Sequence, residues 1–320
     1  MTHDGAKVST AAIWAALLTV YVVWGSTYLG IRVVVESGIP PLLGMGARFL
    51  AAAVILMGFL ALQRGVSSLK VSWRELRAAA IVGSLLLLGG NGLVAVAERT
   101  VPSGLAALIV GAVPLWFVLL RVGGGERPRA LTWLGVLVGF AGIAAISLPR
   151  GGIDGVQAWG VLVILAATVF WAVGSYCSPR VGLPASALVA TAYEMLAGGA
   201  IMTAVALAVG ETGQFSLADV PTEGWVALAY LILVGSILGY TAYIFALSNA
   251  PLSMVGTYAY VNPVVAVVLG ALILDEPVTA IVLGGGLLVV AGVALVLRGE
   301  RPPAPVEDVD LRLPEPVRSS

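Results

Sequence analysis

The sequence is short of cysteine, histidine and charge. Its one cysteine, Cys177, excludes an internal disulfide and any CxxC motif. Its one histidine, His3, stands near the N-terminus, so neither a zinc site nor an intramembrane histidine relay is expected. No metal and no cofactor is called for. Charged residues make up 11% of the chain, less than half of the roughly 25% usual in soluble domains. Basic and acidic residues balance at 17 each, so net charge points to no acidic or basic partner, and nucleic acid is not expected as one. Neither an HExxH motif nor a pair of aspartates suited to a metal-bound diphosphate occurs. That weighs against an integral-membrane enzyme.

What remains is apolar. Hydrophobic residues are 59% of the 320, and the mean hydropathy is +1.02. A water-soluble fold of this length would lack the polar surface to cover itself. The expected partner is therefore a lipid bilayer. A helix crossing its ~30 Å hydrocarbon core needs about 20 apolar residues.

Ten apolar runs meet that length approximately: 11–34, 40–62, 76–98, 102–122, 131–148, 158–178, 186–209, 223–248, 252–274 and 278–298. The first is longer than the apolar core of a signal peptide and is read as an uncleaved span. The segment 299–320 carries five prolines among alternating charges and is expected to be a disordered cytoplasmic tail. With both termini placed in the cytoplasm, thirteen Lys and Arg fall inside and three fall outside. By the positive-inside rule this predicts cytoplasmic N- and C-termini.

The halves repeat. Pro102, Pro114, Pro128 and Gly135 match Pro251, Pro263, Pro277 and Gly284 at an offset of 149. AGIA at 141–144 matches AGVA at 291–294 one residue further on, and Trp24 matches Trp171 at 147. Five spans per half is an odd number, so the second copy crosses in the opposite sense, as in many secondary transporters. Loop charge agrees: RVGGGERPR after span 4 is basic, whereas its counterpart LDEP has no Lys or Arg. The fold expected is an all-α integral membrane protein of ten transmembrane helices. These form two inverted five-helix repeats, 11–148 and 158–298.

Several motifs carry a family resemblance. They are VVWGSTYLGIR in span 1 with its echo FWAVGSY in span 6, and GARFL in span 2. Others are ERTVPSGLAALIVGAVPL across spans 3 and 4, the ERP loop, and ALSNAPLSMVGTYAYVNPVVAVVLGALILDEP across spans 8 and 9. In their order, and with the duplication, the chain resembles the ten-span EamA branch of the drug/metabolite transporter superfamily over about residues 12–298. The resemblance implies a secondary carrier, typically an exporter of small metabolites or amino acids. It fixes no single solute.

Candidate site residues follow from the stripes. Span 4 carries Gly104, Ala107, Gly111 and Pro114 on one side, and span 9 carries Ser253, Gly256, Tyr260 and Pro263. Proline inside a span breaks the hydrogen-bond ladder, so helix breaks are expected at Pro114 and at Asn262–Pro263. These faces are expected to border a central site; the same small residues also suit close helix packing. Span 1 aligns Tyr21, Trp24, Thr27 and Tyr28, and span 6 aligns Thr168, Trp171 and Ser175. Trp24 lies too deep for an interfacial belt. Asn91 in span 3 has Tyr240 as its counterpart in span 8, one turn from Tyr243. Such a mix of rings, amide and hydroxyls suits a partly apolar small-molecule solute, and it also suits packing. Gly135, Gly139 and Gly142 in span 5, and Gly284–Gly286 in span 10, read as a packing seam.

Two charges fall inside spans: Arg48, and Glu194 at the equivalent place 146 residues later. Each needs a partner or water. Arg48 is expected either to pair with Glu194 or to tie its helix to neighbouring carbonyls. Glu194, with Glu98 at the end of span 3, is a candidate carrier of a coupling proton. A passive channel is the alternative to a carrier, but neither a ring of like charges nor a carbonyl filter is present in the sequence.

Overall fold

A computed structural model describes residues 9–147, 158–213 and 215–299, without the side chains of Ile146, Ser147, Ser253 and Tyr260. Among these residues the protein is all helix, with no strand. The helices are α1 Thr10–Glu36, α2 Pro41–Arg64, α3 Trp73–Ala97, α4 Ser103–Gly123 and α5 Ala130–Ser147. The second half holds α6 Ala158–Cys177, α7 Ala187–Ala208, α8 Thr222–Asn249, α9 in the pieces Leu252–Val255 and Tyr258–Ile273, and α10 Ala280–Gly299. Eight helices are long and apolar enough to cross a membrane; the stretches Ala130–Ala145 and Val261–Ile273 are apolar but shorter. His3 and residues 300–320 of the expected tail lie outside the described residues, as does the side chain of Tyr260.

These helices are apolar all round, as membrane helices are. Their outward faces leave Leu62 88% and Leu272 75% exposed, with Trp14, Val22 and Leu287 also bare. So much exposed hydrocarbon is tolerated against lipid and not against water. Polar residues gather at helix ends. Ser9 caps α1. Ser72 and Glu75 form a reciprocal capping box that starts α3.

Contacts recur with the halves exchanged. Repeat mates pack on each other, α5 on α10 and α2 on α7; α1 packs on α8 and α9, as α6 packs on α3 and α4. Small residues make the close approaches possible. A Cβ on Gly135 would stand 2.6 Å from the Gly292 carbonyl, and one on Gly142 2.7 Å from the Gly285 carbonyl. These two contacts are exchange partners at an offset of 150, so Gly285 is the structural mate of Gly135. Gly284 faces open space and takes no part in the seam. Gly286 meets Leu108 of α4.

Two helices widen at matching places. Ser84–Gly92 of α3 and Leu231–Tyr240 of α8 are π-helical, and their first residues are 147 apart. Wide π turns often stand at functional sites.

The expected breaks in α4 and α9 need one correction. In α4 the chain breaks at Gly111–Ala112, and Pro114 sits at the second position of the new piece Val113–Gly123. There its missing N–H costs nothing. In α9 the break falls at Gly256–Thr257, while Pro263 lies inside Tyr258–Ile273 and Asn262–Pro263 stays helical. One missing hydrogen bond within a packed helix was not enough to interrupt it.

Candidate functional site

A buried cavity lies where the two halves meet. From the first half, α1 contributes Trp24, Thr27, Tyr28 and Ile31, a single helical stripe. Next to them stand Arg48 and Phe49 of α2, Gly90, Asn91 and Val94 of α3, and Val110 of α4. The second half supplies Ala167, Thr168 and Trp171 of α6, Gly235 and Tyr240 of α8, and Tyr258 of α9. The cavity is about 50 Å³, room for a few water molecules, and anything larger needs the helices to part.

Aromatic rings build one wall. Trp24 and Trp171 meet edge to face with centroids 5.3 Å apart, and Tyr258 meets Trp24 in the same way at 5.8 Å. Tyr243 lies behind this wall. Its hydroxyl accepts from Trp171 Nε1 at 3.1 Å and is bonded to Ser175 Oγ at 2.6 Å. Trp24 Nε1 donates to the Gly235 carbonyl at 3.3 Å. Both indoles are thus held by a polar bond at the edge and by ring contacts at the face.

Arg48 forms the opposite corner. Its Nε donates to Ser236 Oγ at 2.8 Å and to the Leu231 carbonyl at 3.2 Å; Nη1 donates to Asn91 Oδ1 at 3.4 Å. Ser236 and Leu231 belong to one π stretch and Asn91 to the other, so the two wide turns converge on a single guanidinium. Of the two alternatives for Arg48, the ion pair with Glu194 does not form: among the described residues no carboxylate oxygen stands within 4.0 Å of Arg48. Neighbouring neutral oxygens engage Nε and Nη1 instead. Glu194 is fully buried, and its Oε2 accepts from Tyr240 OH at 2.7 Å while Oε1 has no partner.

Other expected site residues fall elsewhere. Gly111 is not in the lining; it packs α4 onto α9, where a Cβ would lie 3.3 Å from Pro263. Asn262 is 2% exposed and off the cavity, and neither amide atom has a hydrogen-bond partner among the described residues. Glu98 is buried at the end of α3 with both carboxylate oxygens unpartnered among the described residues, while its carbonyl accepts from Arg32. Nearby, Glu276 accepts from the backbone N–H of Ser103 at 2.7 Å and of Gly104 at 3.0 Å, capping α4. Sequence reasoning missed this cap. The signal was an acidic loop residue beside a Pro-Ser helix start with free N–H groups. It also missed Phe49, Val110, Tyr258 and Ser236.

An all-helical bundle with lipid-ready outer faces and a buried aromatic cavity between two like halves defines a multi-pass membrane protein of the transporter kind. The EamA-like transporter family matches residues 10–148 and again 158–298, and the chain belongs to that family, within the drug/metabolite transporter superfamily. The chain is 41% identical over 290 residues to the uncharacterized inner membrane transporter YedA of Escherichia coli strain K12, covering 90% of this chain and 91% of that protein. It is 29% identical over 293 residues to a probable terminal-alkyne amino-acid exporter of Streptantibioticus cattleyicolor, covering 90% and 93%. A solved crystal structure superposes with a TM-score of 0.64 at 23% identity, covering 90% of this chain and 96% of that one, a likeness of fold alone. The family and both of these relatives bear transporter or exporter names.

Proposed function

We propose that the protein is a secondary carrier that exports small metabolites or amino acids across the cytoplasmic membrane. Ten spans form two inverted five-helix repeats, 11–148 and 158–298, with both termini in the cytoplasm. The repeats rock about the central cavity and open it to one side at a time. Trp24, Thr27, Tyr28, Asn91, Trp171 and Tyr240 contact the solute. Ser175 and Tyr243 support them from behind. Glu194, one hydrogen bond behind Tyr240, takes the coupling proton.

The observation that carries this reading is the matched construction of the cavity. Trp24 and Trp171 correspond at 147 residues and meet, and the two π stretches correspond at the same offset and both reach Arg48. A site shared between duplicated halves is what alternating access requires. The amino-acid exporter among the relatives supports the solute class.

The test begins with a metabolite screen for thermal stabilisation of the purified protein. Each hit is then followed in proteoliposomes. Labelled solute entering faster against the same unlabelled solute inside supports a carrier. Flux indifferent to internal solute sinks the carrier reading in favour of a channel.

A further inference from the structure

We infer that Arg48 binds the carboxylate of the solute, and that this narrows the solutes proposed above to small organic anions, taken in preference to zwitterionic amino acids, amides and amines. This deepens the carrier reading and rests on the central cavity being the solute site.

Arg48 is 2% exposed and remains charged, since a guanidinium does not lose its proton in a protein. A charge buried within a membrane is costly unless something answers it. Its hydrogen-bond partners here are all neutral: a hydroxyl, a backbone carbonyl, a side-chain amide oxygen and the Met45 thioether, with the Phe49 ring against the guanidinium at 4.6 Å. They occupy Nε and Nη1. Nη2, with two of the five N–H donors, has no acceptor among the described residues. The same guanidinium lines the cavity. Only glycine fits beside that free nitrogen, for a Cβ on Gly235 would lie 2.9 Å from Nη2. A held guanidinium with an open donor edge in a buried pocket is a receptor for a carboxylate.

The rest of the wall fits the remainder of such a solute. Trp24, Trp171 and Tyr258 offer apolar faces to a hydrocarbon or ring. No carboxylate lines the cavity to receive an ammonium. Glu194 approaches only through Tyr240, whose hydroxyl it already engages. Ring faces attract ammonium groups, but a nearby unpaired guanidinium repels them strongly where the dielectric is low.

The test measures binding to the purified wild-type protein by thermal stabilisation at millimolar ligand. The probes share one skeleton: phenylacetate, phenylacetamide, phenylalanine and phenethylamine, with butyrate and butyramide as a smaller pair. Phenylacetate is expected to bind at least about tenfold more tightly than its amide, its amine or the zwitterion. In Arg48→Gln the preference of acid over amide should fall to about twofold or less. Should that variant fail to fold, Gly235→Ala replaces it. The added methyl crowds Nη2 and should weaken the acid severalfold and leave the amide nearly unchanged. Three results overturn the inference: equal or tighter binding of phenylalanine, amine or amide by the wild type; no stabilisation by either acid; or a tenfold preference surviving in the variant. Binding is read without a gradient or a flux. A channel that holds the acid would therefore pass here and fail counterflow, and a carrier of amines would do the reverse.

Discussion

Trp24 and Trp171, one from each half and 147 residues apart, stand edge to face at 5.3 Å with their planes 82° apart. Their supports differ: Trp24 donates to a backbone carbonyl of α8, and Trp171 donates to the Tyr243 hydroxyl. Two positions that are alike in sequence are therefore held by unlike bonds. Trp24→Ala should lower stability by roughly 3 kcal/mol or more, as loss of a core aromatic does. Trp171→Phe keeps a six-membered ring but loses the pyrrole half of the indole with its hydrogen bond, at a cost of about 1–3 kcal/mol. Thermal unfolding in detergent measures both; equal losses would show that the indole N–H, and not the ring, holds the wall.

The glycine seam between α5 and α10 separates two substitutions that look alike in sequence. A Cβ on Gly292 would run into the backbone of Gly139, whereas a Cβ on Gly284 meets nothing within 4 Å. Gly292→Val should prevent the helices from closing and yield little monodisperse protein. Gly284→Ala should stay within about 0.5 kcal/mol of wild type. Size-exclusion profiles and melting curves check the pair.

Glu276 fastens the last loop to the first turn of α4. Glu276→Ala frees two backbone N–H groups and should cost about 1 kcal/mol. Glu276→Gln keeps one acceptor oxygen and should lose less. Equal melting temperatures for the two variants would show that the capping bonds contribute nothing.

Glu194 and Tyr240 can be tested as a pair. Glu194→Gln should abolish flux driven by an imposed pH gradient and spare counterflow; unchanged proton-driven flux removes Glu194 from the mechanism. Tyr240→Phe strips the only hydrogen bond assigned to the carboxylate and should destabilise by about 1–3 kcal/mol, because the buried acceptor is left alone.

Orientation is open to a chemical test because Cys177 is the one native thiol. In a Cys177→Ala background, Ser9→Cys should react with an impermeant maleimide only from the cytoplasmic face, and so should Arg298→Cys. Labelling of the two from opposite faces would end the inverted-repeat reading.

The helices were legible because membrane burial writes itself as length: each apolar run ends within a few residues of the observed helix. Trp24, Thr27, Tyr28, Asn91, Trp171 and Tyr240 were legible as polar-tipped or aromatic residues deep in spans and paired across the repeat, and the structure brings all six to one cavity. The π stretches were not legible, since a shift in hydrogen-bond partner leaves no residue pattern of its own. The fate of Arg48 was legible only as two alternatives. Which one holds depends on Leu231 and Ser236, nearly 190 residues away, being turned toward it by that wide turn. Pro263 misled because a proline states which bond is missing and not whether its neighbours hold the helix without it.

The cavity draws its surface from helices of both repeats. Split between α5 and α6, the molecule would give two fragments, each bearing one indole and one broadened turn, and neither would hold the whole lining. On the proposed reading recognition is a property of the joint, so anything that loosens the fit of one moiety against the other alters affinity without touching a single contact to the cargo.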